Sequence, residues 1–136
     1  MKELKKDFTK KGGCKYHQLF KNDRFAIYEC TQTFEEGEPI VFYEIFKMVV
    51  KKPDMFHDDE YEAYPSDEEF GVRAWCCSDF GSVVRVFEND IKEDISEYAK
   101  FFKAFGVESL QKEKPYNYEG TEKIDDCITQ GWMLYN

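Results

Sequence analysis

The chain has 136 residues, of which 42% are hydrophobic and 18% aromatic, and a formal net charge of −9. That length fits one domain and lets the chain fold without disulfides or metals, and so apolar a composition excludes intrinsic disorder. No apolar run approaches the ~20 residues of a membrane helix, and Met1–Gly13 carries charge without the apolar core of a signal peptide.

The first segment is basic. Residues 1–24 hold eight Lys/Arg against three Asp/Glu, a balance of +5, whereas residues 25–136 hold eleven against twenty-five, a balance of −14. Residues 1–13, ending in Gly12-Gly13, are expected as a loose arm or frayed helix ahead of one compact domain over 14–136. The lysines Lys2, Lys5, Lys6, Lys10, Lys11 and Lys15 offer a nucleic-acid contact, but the acidic body repels phosphate and favours a basic protein partner.

Three strands follow. "CKYHQLF" (14–20) alternates, "RFAIYECTQTF" (24–34) divides its side chains between two faces, and "IVFYEIFKMVV" (40–50) is dense in β-branched and aromatic residues. The turn residues of "KND" and "EEGEP" separate them, so an antiparallel meander is expected. In the middle strand Phe25, Ile27 and Glu29 lie on one face, with Ala26, Tyr28 and Cys30 on the other. "GVRAWCC" (71–77) reads as a fourth strand. Ser78 is the expected helix cap with Asp79 in the first turn.

Beyond it Phe80, Val83, Val84, Phe87 and Ile91 recur at helical spacing, and Ile95, Tyr98, Phe101, Phe102 and Phe105 continue the pattern. Gly106 is the expected stop, and "TEKIDDCITQGWMLY" a short last helix or strand. The fold class is α+β, a meander of about four strands with helices on one face.

Between strands lies "PDMFHDDEYEAYPSDEEFG". It carries eight carboxylates from Asp54 to Glu69 and no Lys or Arg. His57 beside Asp58 suggests a metal, but the spacing lacks the Gly and Glu of an EF-hand loop, so no metal or other cofactor is expected. The second half has a structural reading: Pro65 sets a turn, Ser66 caps "DEEF" and Gly71 lets the chain re-enter the sheet. For partner binding the expected residues are Asp58, Asp59, Glu60, Tyr61, Glu62, Tyr64, Asp67, Glu68 and Glu69, with the two tyrosines as anchors. A second acidic patch is expected on a helix from Glu88 to Glu97, formed by Glu88, Asp90, Glu93, Asp94 and Glu97.

Five cysteines, Cys14, Cys30, Cys76, Cys77 and Cys127, are an odd number with an adjacent pair. They read as reduced thiols of a cytoplasmic protein, one of Cys76 and Cys77 packing inward. A pocket pairing either thiol with His17 or His57 is the enzymatic alternative, without any catalytic signature around it. Neither GxxxxGK[ST], GxGxxG nor GxSxG occurs.

The run from Tyr43, Glu44, Ile45 and Phe46 to Tyr64, Pro65, Ser66, Asp67, Glu69, Phe70, Gly71 and Trp75 resembles a group of small proteins of bacteriophages and mobile elements. In those a "YEVF" strand precedes a "YPSxExFG" turn, an aromatic strand and a short helix. The likeness covers residues 24–90 and departs at "WCCSDFGSVVRVF". It implies a phage-type origin and no catalytic residue. With the acidic, Tyr-rich body it leads to the expectation of a non-enzymatic inhibitor of a host nucleic-acid-handling defence system, anti-CRISPR-like, that occupies a basic surface in the host cytosol.

Overall fold

The computed structural model describes the backbone of residues 1–112 and the side chains of residues 1–109. The element expected at 121–135 and Cys127 lie outside them. The chain divides into two compact units, Met1–Cys76 and Cys77–Asn136. Seven strands are described: β1 Asp7–Thr9, β2 Lys15–Lys21, β3 Phe25–Gln32, β4 Ile40–Lys47, β5 Val50–Lys51, β6 Tyr61–Glu62 and β7 Ala74–Cys77. With the helices α1 Phe80–Val86 and α2 Ala99–Lys112 they give an α+β fold.

The main sheet is antiparallel and ordered β1-β2-β3-β4-β7, while β5 and β6 pair separately. The expected meander is β2–β3–β4. Asn22 makes its first turn, its side-chain oxygen accepting the N–H groups of Arg24 and Phe25 at 2.8 and 2.9 Å. Residues 7–9 are not an arm or a frayed helix. They pair with residues 15–17 as an edge strand, because Phe8 sits opposite Tyr16 and their rings stack at 4.9 Å. Gly13, at φ +89°, closes this hairpin, its N–H reaching the Lys10 carbonyl at 3.0 Å.

The alternation expected in "CKYHQLF" is interrupted by a bulge between Gln18 and Phe20. A regular strand would put Phe20 on the Tyr16 face. The extra residue turns it to the other side, opposite Ile27, where its ring stacks on Phe25 at 5.1 Å. Strand β3 is buried on both faces, with Phe25, Ala26, Ile27, Tyr28 and Cys30 fully inaccessible.

One face of this sheet gathers Cys14, Tyr16, Ala26, Tyr28, Cys30, Phe46 and Ala74. Tyr64, arriving from the segment between β6 and β7, points edge-on into it. Its ring lies 5.2–5.8 Å from those of Phe8, Tyr16, Tyr28 and Phe46. Edge-to-face pairs of this kind add about 0.5–1.5 kcal/mol each beyond the area they bury.

The chain reaches β7 through a short 3-10 turn, Asp67–Glu69. Ser66 donates its backbone N–H and its hydroxyl to Glu69 Oε1, both at 3.1 Å. The strand expected from residue 71 begins only at Ala74. Gly71, at φ +89°, turns the chain back and donates its N–H to the Ala74 carbonyl at 2.7 Å.

In the second unit Phe80, Val83, Val84, Phe87, Ile91, Ile95, Phe102 and Phe105 are buried, as the helical spacing requires. Phe87 packs on Phe102 at 4.8 Å and Phe80 on Phe105 at 5.0 Å. Three local readings are corrected. The cap of α1 is Asp79 rather than Ser78, since Asp79 Oδ1 accepts the Ser82 N–H at 2.7 Å. The helix expected over Glu88–Glu97 ends instead in a π turn, Phe87–Ile91, followed by Lys92 in the left-handed region at φ 62°. And α2 passes through Gly106 to Lys112. Gly106 is buried there between Phe105 and the buried Ser109, and packing outweighs the roughly 1 kcal/mol that glycine costs within a helix.

Arg73 fastens the first unit. It is only 7% exposed. Its guanidinium donates to the Lys47 carbonyl at 2.6 Å, to the Ala63 carbonyl at 3.0 Å and to Glu69. Arg73→Ala leaves buried acceptors unmatched and is expected to lower stability by about 3 kcal/mol. Urea denaturation checks this, and Arg73→Lys, which lacks the planar fork, is expected to recover less than half of the loss.

Candidate functional site

The residues expected to bind a partner divide into two sets. Tyr64, Glu62 and Glu69 face inward. Asp58, Asp59, Glu60, Asp67 and Glu68 are exposed. Tyr61, half-buried, holds the loop between β5 and β6.

The inward set is organised by Glu44, a carboxylate only 5% exposed in the middle of β4. The Tyr16 hydroxyl donates to its Oε1 at 2.9 Å and the Tyr64 hydroxyl to its Oε2. Lys10 Nζ lies 4.8 and 4.2 Å from the centroids of the Tyr16 and Tyr64 rings and supplies a counter-charge. Burial nevertheless dominates and holds the Glu44 carboxyl above its usual range, against the pull of Tyr16 and Lys10. Burial, then Glu44, pushes the Tyr16 hydroxyl and the Cys14 and Cys30 thiols upward.

Glu62 works similarly at the edge. Its Oε1 accepts the Leu4 N–H at 2.9 Å and lies 2.5 Å from Lys21 Nζ. Glu69 is held down to about 2 by Arg73 first and by Ser66 second.

The outward set begins at a tied loop. Asp54 Oδ1 accepts the Phe56 N–H at 2.9 Å and lies 2.9 Å from His57 Nδ1, and Asp54 Oδ2 accepts the Tyr61 hydroxyl at 2.8 Å. The His57 and Tyr61 rings stack at 3.6 Å. These contacts, His57 first, keep the Asp54 carboxyl down at about 2. Between the two ends of the tie stand Met55, 90% exposed, and Phe56, 85% exposed. Asp58, Asp59 and Glu60 follow directly, Asp59 Oδ1 accepting the Glu60 N–H at 2.8 Å.

An exposed apolar pair in a loop, flanked in sequence by carboxylates and held by the Asp54 contacts, has the make-up of an interface anchor. Sequence reasoning missed Met55 and Phe56 because apolar residues are read as core. Their signal was position, since no strand or helix period includes them.

In the second patch Glu88, Asp94 and Glu97 are exposed and Asp90 and Glu93 half-buried. Asp94 caps the next turn by accepting the Ser96 N–H at 2.9 Å. With Lys92 left-handed between them, Asp90 and Asp94 do not share one helical face.

Of the adjacent thiols, Cys77 is buried and Cys76 exposed, as strand alternation requires. The Cys76 thiol is raised, first by the protein around it and then by Glu44, which disfavours the thiolate a nucleophile needs. His17 Nδ1 lies 2.7 Å from Asp7 Oδ1. Among the described residues no three His, Cys, Asp or Glu side chains converge as metal ligands, and no helix is long and apolar enough to cross a membrane. No protein-family model, curated protein or solved structure matches this chain.

Two outcomes follow from the charges. Glu44 holds its proton more tightly folded than unfolded, since its folded value is raised above 4.5. Its contribution to stability is therefore full below the unfolded value and is lost as pH rises through the folded one. Glu44→Gln is expected to flatten the decline in urea midpoint that wild type shows as pH rises from that value toward neutrality. For Asp54, the depressed value means that the tie persists through mild acid and opens only as pH falls toward about 2. Asp54→Ala is expected to speed amide exchange at Phe56 and His57 roughly tenfold at neutral pH with little change in melting temperature.

Proposed function

We propose that this protein is a non-enzymatic binding module that seats its acidic, apolar-tipped loop on a basic surface of a host nucleic-acid-handling effector. In this reading it is a phage-encoded inhibitor of the anti-CRISPR kind, acting in the host cytosol. The observation that carries the reading is the exposed Met55-Phe56 pair, anchored by Asp54, His57 and Tyr61 and followed by Asp58, Asp59 and Glu60.

The anchors are revised in consequence. Tyr64 is spent on the core, so Met55 and Phe56 take the place given to the tyrosines. The carboxylates steer the encounter with a Lys/Arg-lined surface that otherwise holds phosphates, and the apolar pair slows dissociation. Asp67 and Glu68, exposed on the 3-10 turn, extend the same sign of charge along the chain. Glu62 and Glu69 are already paired with Lys21 and Arg73 and supply little field to a partner.

The test uses a basic host protein captured on the immobilised full chain and then purified. Met55→Ser/Phe56→Ser is expected to weaken its binding by about 2–4 kcal/mol, chiefly through faster dissociation. Asp58→Lys/Glu60→Lys is expected to slow association and reduce its salt dependence, and nucleic acid should compete with wild type. Unchanged affinity in both double variants sinks the proposal.

A further inference from the structure

The basic N-terminal residues have a use that the acidic loop does not explain. Residues 2–6 are fastened to the first unit along their backbone. The Lys2 N–H donates to the Glu60 carbonyl at 3.0 Å, and the Glu62 N–H returns to the Lys2 carbonyl at 2.9 Å. The Tyr28 hydroxyl donates to the Lys5 carbonyl at 2.7 Å, and the Gln18 N–H to the Lys6 carbonyl at 2.7 Å. Fixed in this way, the segment walls a cavity of about 350 Å³ whose other side is Lys51 and His57 with residues 61–64.

The lining has two parts. Leu4, Phe8 and Tyr64, all half-buried, give it apolar and aromatic surface. Lys2, Lys5 and Lys51 are exposed, and none of the three forms an ion pair among the described residues. The two carboxylates in the lining, Glu3 and Glu62, do not cancel them. Both already face Lys21, whose Nζ lies 3.8 Å from Glu3 and 2.5 Å from Glu62, and Glu62 also holds the Leu4 N–H. One ammonium cannot neutralise two carboxylates, but with Lys21 counted the site holds four cations, Lys2, Lys5, Lys21 and Lys51, against two acids, a balance that attracts an anion on a protein that is otherwise strongly acidic.

We infer that this cavity binds a small phosphorylated ring compound of the size of a nucleoside mono- or diphosphate. The lysines hold the phosphate as point charges, and the aromatic lining covers the ring. The volume lies at the small end of the roughly 300–1,000 Å³ range of ligand sites, which suits a mononucleotide. Neither Met55 nor Phe56 lines the cavity, so a failure of nucleotide binding leaves the protein-binding proposal intact.

The experiment titrates the full chain with AMP, ADP, adenosine and inorganic phosphate, followed by amide shifts and calorimetry. ADP or AMP is expected to move the amides of residues 2–5, 51 and 61–64. Adenosine or phosphate alone is expected to bind at least tenfold more weakly, and Lys5→Gln/Lys51→Gln to weaken nucleotide binding roughly tenfold. Far-UV circular dichroism and the Tyr28 amide report whether the variant stays folded, and a single Lys51→Gln exchange, which leaves Lys5 and its carbonyl contact with Tyr28 untouched, serves if it does not. The inference is overturned by the absence of nucleotide shifts at millimolar concentration. It is equally overturned if phosphate alone binds as tightly, an adventitious ion only, or if folded variants bind ADP like wild type.

Discussion

The first unit is built around a carboxylate that it cannot leave alone. Glu44 occupies an inward position of β4, across from Tyr28 in register, where an unpaired charge would cost several kcal/mol. Two hydroxyls meet it, and they come from far apart in the chain. Tyr16 belongs to β2, and Tyr64 to the segment after β6. Satisfying one acid therefore fixes where the acidic stretch crosses the sheet. Once Tyr64 is drawn in, its ring completes the aromatic cluster with Phe8, Tyr16, Tyr28 and Phe46. Polar satisfaction and apolar packing then support the same geometry, which is what gives a chain one structure rather than several.

That crossing sorts the carboxylates. One carboxylate on either side of Tyr64 is pulled toward the protein and finds a cation and an N–H group: Glu62 finds Lys21 and Leu4, Glu69 finds Arg73 and Ser66. Their neighbours Asp58, Glu60, Asp67 and Glu68 stay in water. Eight like charges in one stretch thus do not act as one surface. Asp54, Glu62 and Glu69 are engaged within the fold, and only the remainder carries a field that a partner can meet.

Local features were legible in the sequence, and distant pairings were not. The strands β2 to β4, the Asn22 turn, the Ser66–Glu69 cap and the buried helical positions from Phe80 to Phe105 follow from periodicity and turn chemistry within a few residues. The bulge at Gln18 was hidden because Phe20 fits either face until its partner Ile27 is known. The edge strand at Asp7–Thr9 was hidden because a lysine-rich segment has weak strand propensity, and what holds it is the stacking of Phe8 on Tyr16. The contacts of Lys2 with Glu60, Leu4 with Glu62 and Tyr64 with Glu44 span twenty to nearly sixty residues, and no local pattern announces them. Glu44 had one signal: an acid between apolar neighbours on a strand that is otherwise buried.

The stacked pair His57 and Tyr61 joins the two surfaces to which functions are attributed. Beneath the loop tip it is tied to Asp54 and so sets how Met55 and Phe56 are presented. On its other flank the same two residues line the lysine cavity. An anion bound beside them and a protein bound above them would therefore bear on one network of three side chains. Any difference that the first makes to the second must be returned in equal measure, because coupling between two binding equilibria is reciprocal. The sign depends on Asp54. An anion that draws the His57 ring away from its carboxylate loosens the tip, whereas one that only neutralises the nearby lysines leaves the tie in place and makes the surroundings of the tip more acidic.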